Sequence, residues 1–84
     1  MITREEVNGL KIGDILYSTI SHNADGTPTR WRVNGQVKTW KTRPTDYQVP
    51  LKHGLFSYGY LTPSAAHLLC LSEDMAKLAQ SFHN

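Results

Sequence analysis

Apolar and polar positions alternate along most of the chain and are broken at short intervals by Gly, Pro, Asn and Asp, the pattern of short strands joined by turns. The start differs. Thr3 followed three residues later by Glu6 is a capping-box pattern, which predicts a short helical turn ended by Asn8-Gly9, so that residues 1–9 form an N-terminal cap. Leu10 to Asp14 reads as an apolar entry and a tight turn into a strand, Ile15 to Ile20, rich in β-branched and aromatic residues. Ser21 to Thr27 is a polar loop in which Asp25-Gly26 supplies a residue that accepts positive φ, and Pro28 suits the start of the next strand.

That strand, Thr29 to Val33, is expected to turn at Asn34-Gly35 into Gln36 to Lys41, because Asn-Gly between β-prone runs is a strong hairpin signal. A two-residue turn would mix polar and apolar residues on both faces. A three-residue loop, Val33 to Gly35 with Gly35 left-handed, gathers Trp31, Val37 and Thr39 on a core-like face and leaves Arg30, Arg32, Gln36, Lys38 and Trp40 opposite, so it is preferred. Thr42 to Asp46 reads as a turn, Tyr47 to Leu51 as a short strand whose Pro50 marks an edge or bulge, and Lys52 to Gly54 as a break.

Leu55 to Leu61 alternates again, with Phe56, Tyr58 and Tyr60 on one face. Such a set ordinarily fills a barrel interior with its hydroxyls at the rim; exposed, it marks a protein-binding patch instead. Thr62-Pro63 opens a helical turn to Ala66, His67 to Leu71 completes the sheet as a buried strand, and Ser72 caps a helix over Glu73 to Gln80 with Met75, Leu78 and Ala79 as its apolar face. Residues 72–84 are thus a C-terminal helix and tail. The sum is a mainly β, small SH3-like, partly open barrel of about five short strands with a short C-terminal helix; a plain twisted sheet with the helix across it is the alternative.

Eighty-four residues leave room for one domain, residues 1–84, and a composition 39% hydrophobic and 19% charged supports a packed core. Cys70, the only cysteine, sits among Leu68, Leu69 and Leu71, so it is read as a buried thiol in a reducing, intracellular setting. The first residues lack the apolar core of a signal peptide, and no run approaches the ~20 apolar residues that span a bilayer, so a soluble protein with no membrane partner is expected.

Charge matters here through its distribution. The chain carries +2, yet Arg30, Arg32, Lys38, Lys41 and Arg43 fall between Asp25 and Asp46 with no acid among them, which gives that segment +5 and the remainder −3. Arg30, Arg32, Lys38, Lys41 and Arg43 with Trp40 therefore form the candidate binding site: the cations for phosphates, Trp40 as a platform for an unpaired base. The competing reading is a solvated hairpin face with Trp40 packed under Arg and Lys stems. His22, His53, His67 and His83 show no paired metal-ligand spacing; His53, in a loop-like stretch, is the one best placed near a functional surface. No Gly-rich phosphate loop or paired-carboxylate pattern appears, Cys70 has an apolar context, and neither an enzyme nor a cofactor is expected.

The succession Leu10-Lys11-Ile12-Gly13-Asp14, Arg32-Val33-Asn34-Gly35 with Lys38-Thr39-Trp40-Lys41, Val49 to Leu55, and Tyr58-Gly59-Tyr60-Leu61-Thr62 resembles that of small uncharacterised single-domain proteins of bacteriophages and prophages, over roughly residues 10 to 71. The resemblance implies a compact domain in a bacterial host cytoplasm and supplies no activity and no catalytic residues. Two functions follow as expectations: a non-enzymatic module that binds nucleic acid through the basic hairpin, or a phage or prophage accessory protein that binds a host or viral protein. Neither fixes an oligomeric state.

Overall fold

The computed structural model describes residues 2–82, in which a capped helical turn, α1 (Arg4–Asn8), leads into six antiparallel strands. The capping box forms as the sequence predicts: Glu6 N donates to Thr3 Oγ1 at 3.1 Å, and Thr3 N donates to Glu6 Oε1 at 2.9 Å. Strand β1 (Ile15–His22) pairs with β2 (Pro28–Val33), placing Leu16 opposite Trp31 and Tyr17 opposite Arg30. Past Tyr17 the register shifts. Ser18 Oγ causes this locally by accepting the amides of Ile20 and Ser21 at 3.1 and 2.9 Å, which takes them out of the ladder. In the loop, the Asp25 carboxylate accepts the Thr27 hydroxyl and amide, bonds that hold its pKa below the ordinary carboxylate value.

The expected hairpin at Asn34-Gly35 does not form. Gly35 is outside the left-handed region; Asn34 N donates to Pro50 O at 2.8 Å, and the chain runs on through 34–37 into β3 (Lys38–Trp40) before reversing at Lys41-Thr42 into β4 (Arg43–His53). The segments read as two strands of one hairpin are thus consecutive pieces of one arm, both antiparallel to β4. The register accounts for this: Arg32 lies opposite Lys52 and Val33 opposite Leu51, but Lys38 lies opposite Gln48, so two extra residues are absorbed between them as an irregularity rather than a turn. Of the predicted turn at 42–46 only Thr42 lies in one; Arg43 to Asp46 are the start of β4, with Pro44 inside the strand.

Strand β5 (Ser57–Leu61) pairs with β4, and the remaining order is β3-β4-β2-β1-β6, an open sheet. A 3-10 turn (Pro63–Leu68), longer than expected, precedes β6, which is only Leu69–Cys70. Thr62 does not cap that turn; its hydroxyl meets Ser64 Oγ instead. Leu16, Val33, Val49, Leu51 and Leu61 line one face of the sheet, and Ile2 ahead of α1, Val7 within it and Ala66 of the later 3-10 turn cover it, tied by an Ile2 N to Ala66 O bond of 3.1 Å. Trp31 and Val37 pack against this core, while Thr39, expected beside them, is exposed.

Helix α2 (Glu73–Ser81) lies along β1, capped by Ser72. Its buried face is not the predicted one. Ala76 is fully buried and Gln80, one turn on, donates to Ser18 O and Ser21 O at 3.0 and 2.8 Å, whereas Met75 and Leu78 are more than half exposed. A small residue and an amide bring the helix onto the irregular end of β1, where bulky side chains would hold it off. His83 lies outside the described residues.

Candidate nucleic-acid interface

Residues directly opposed across antiparallel strands share a face, so the pairings assemble one side of the sheet without further assumption. Ile15 of β1 faces Arg32 of β2, Arg32 faces Lys52 of β4, and Lys52 faces Tyr58 of β5: a four-strand row. The rows beside it add Tyr17 with Arg30, and Pro50 with Tyr60. Cations and tyrosines therefore interleave on the side of the sheet away from the core. Lys52 Nζ stands 5.4 Å from the centre of the Tyr58 ring, and Tyr58 and Tyr60 are 65% and 56% exposed.

This corrects the expectation that Phe56, Tyr58 and Tyr60 fill an interior. The other face of β5 is taken by Leu61, in the core, and by Gly59, where an added Cβ would come within 3.3 Å of the Trp31 ring. Trp31 occupies the space an inward aromatic would need. His53, also on that inner side, stacks obliquely on Trp31 at 5.5 Å between ring centres, and its Nδ1 donates to the Arg30 carbonyl at 3.0 Å. It braces β2 against β4.

The predicted site residues fall into two groups. Arg30 and Arg32 lie on the outer row, and Lys38, opposite Gln48, extends it, because Gln48 and Lys52 point to the same side of β4 about 13 Å apart. Trp40, Lys41 and Arg43 cluster at the far turn. There Trp40 is half-buried, with the Arg43 guanidinium 4.7 Å and Lys38 Nζ 5.5 Å from its ring centre, so cations occupy the ring that was expected to serve as an open platform. Arg30 is paired with Glu73 at 3.9 Å and Arg43 with Asp46 at 3.6 Å, both exposed and weak. Among the described residues, Arg32, Lys38, Lys41 and Lys52 have no acid within ion-pair distance.

Sequence reasoning missed Lys52, Tyr58 and Tyr60. The alternation that aligns the tyrosines was visible, but which side of β5 meets the core depends on Trp31 crossing the sheet to Gly59, a long-range fact. Among the described residues no three His, Cys, Asp or Glu gather where they could hold a metal ion, and no helix is long and apolar enough to cross a membrane.

Fold and face together define a small, mainly β protein with one basic, tyrosine-bearing sheet surface. Comparison of the chain with family models, curated proteins and solved structures returns no match.

Proposed function

We propose that this protein is a non-enzymatic module that binds single-stranded nucleic acid on the outer face of its sheet. The observation that carries the reading is the row Arg32, Lys52, Tyr58, with no acid in it and Tyr60 and Lys38 alongside. Cations spaced across neighbouring strands of the sheet match a phosphate backbone, and exposed tyrosines present π-faces on which bases stack for ~1–3 kcal/mol each. The part of the site at Trp40, Lys41 and Arg43 then steers the strand by charge rather than by stacking. The open sheet, with a 3-10 turn before its last strand, supports describing the scaffold as a partly open SH3-like barrel.

Titration of fluorescein-labelled single-stranded and duplex oligonucleotides at several salt concentrations tests it. Four cations without acidic neighbours imply a log–log salt slope of roughly −2 to −3 for a single strand. Binding weaker to single strand than to duplex, or none at low salt, overturns the reading.

A second reading is an accessory protein of phage or prophage origin that binds a host or viral protein in a bacterial cytoplasm; the β4–β5 turn supports its protein-binding part alone. Leu55 and Phe56 there are 77% and 89% exposed, a pair of large apolar side chains offered to solvent at a hairpin tip. Loss of partner capture in Phe56→Ser, with oligonucleotide binding unchanged, is its signature.

A further inference from the structure

We infer that the open seam beside β5 is a binding site for an extended peptide segment, which adds a strand to β5 and anchors one uncharged apolar side chain in the cleft behind it. The site uses the edge backbone of β5 and the inner face of the sheet. It is therefore distinct from the outer cations and from the Leu55-Phe56 tip.

The hydrogen-bond directions follow from the register. Asn34 N bonds Pro50 O, so Pro50 directs its backbone groups toward β2, and by the alternation of a strand Lys52 does the same while Val49, Leu51 and His53 turn toward β5. Their partners Leu61, Gly59 and Ser57 complete that ladder. Tyr58 and Tyr60 must then direct their N–H and C=O groups away from β4, and among the described residues β5 has no other strand partner. Four backbone groups are left at an edge that contains no charge, no proline and no bulge, the devices that normally keep edges unpaired.

A strand laid antiparallel along this edge bonds Tyr58 and Tyr60 through the two residues flanking its centre. Its central residue comes opposite Gly59, and its side chain points to the inner side of the sheet. That is where a cleft of about 240 Å³ opens, lined by Trp31, Leu51, Gly59, Ala65, Leu68 and Leu69 among others, with no charged side chain in its wall. The volume is below the ~300–1,000 Å³ of drug-sized ligand sites and fits a single side chain. Gly59 lies in the wall of the cleft, where an added Cβ would stand 3.3 Å from the Trp31 ring.

A second copy of this chain pairing through its own β5 does not satisfy the site. Paired on itself in this register, β5 would bring Gly59 opposite Gly59 and leave the cleft empty; a shift of two residues would offer either Leu61, fully buried in its own core, or Ser57, whose short polar side chain does not fill an apolar cleft. A peptide from another protein, with an apolar residue between β-forming neighbours, meets both requirements.

The test is selection of a displayed random heptapeptide library on the immobilised full-length chain, followed by titration of enriched synthetic peptides into the ¹⁵N-labelled protein. Expected are sequences sharing one uncharged apolar or aromatic position, with shifts at the Tyr58 and Tyr60 amides and the Trp31 indole. Methylating the two peptide nitrogens that flank the anchor should weaken binding by about tenfold or more, as should Ala65→Leu, which fills the cleft. No enrichment, a charged or unconstrained central position, indifference to N-methylation, shifts confined to Arg32 and Lys52, or self-association through β5 each overturns the inference. If Ala65→Leu proves unfolded by its own spectrum, the methylated peptides decide the question alone.

Discussion

Gly35 lies so close to Pro50 that a Cβ added to it would stand 2.8 Å from the Pro50 Cγ and 3.3 Å from its Cβ. No left-handed turn is involved; the glycine is required by the approach of two chains at the irregularity between β2 and β3. Gly35→Ala should therefore cost about 1–3 kcal/mol in urea unfolding, by overpacking against a ring that cannot swing away. Gly35→Asn, which a left-handed hairpin position tolerates, should cost at least as much. In the double variant Gly35→Ala with Pro50→Ala the two costs should fall short of additive; full additivity would mean the contact is not the cause.

The same contact explains how far the sequence could be read. Capping at Thr3 and Ser72, the order of strands and helices, the outward Arg30 and Arg32 and the buried Cys70 are local or periodic properties, and periodicity carries them. Asn34-Gly35 carries a strong local turn signal, yet ladder bonds from Asn34 and Val33 to Pro50 and Asp14 outweigh it. The tyrosine face failed for a related reason: which side of β5 is inside is decided by Trp31, twenty-eight residues before Gly59 in the chain, and spacing within β5 holds no trace of it. Of the candidate site, the cations were legible from charge clustering, while Lys52 and the tyrosines needed the register.

Gln80 is the link between α2 and the bulged end of β1, through its two bonds to the Ser18 and Ser21 carbonyls. Gln80→Ala should destabilise by about 1–2 kcal/mol. Gln80→Glu, which removes the donor and sets a carboxylate against two carbonyls, should do worse than alanine. Hydrogen exchange locates the effect: protection should fall in 73–81 and at Ile20 and Ser21 while β4 and β5 keep theirs. A uniform loss across the sheet would show that the amide does not act as a local clasp.

The two groups of cations should separate in binding. Arg32→Ala and Lys52→Ala remove charge from the row that holds Tyr58, and each should weaken single-strand binding several-fold and reduce the salt slope by roughly 0.7. Arg43→Ala removes a guanidinium already shared between Asp46 and the Trp40 ring, so its effect on affinity should be smaller. Tyr58→Ala should lower affinity with the salt slope unchanged, because stacking releases no counterions. An Arg43→Ala defect larger than that of Lys52→Ala would move the site to the Trp40 turn.

Tyr47 provides a pH dependence with a fixed sign. It is buried in the core, 6% exposed, with the Arg4 guanidinium 4.9 Å from its ring centre. Burial raises the phenol pKa above its ordinary 10.0, and the nearby Arg4 charge offsets this only in part. The folded state therefore holds the proton more tightly than the unfolded chain. The stabilisation this gives is complete below the unfolded pKa and is lost as pH rises through the folded one. Urea midpoints measured from about pH 8 to about pH 11 should fall at the alkaline end, and Tyr47→Phe, which keeps the ring and removes the titrating group, should shallow that fall. The comparison between the two proteins is the measurement: curves that stay parallel throughout would refute a role for Tyr47.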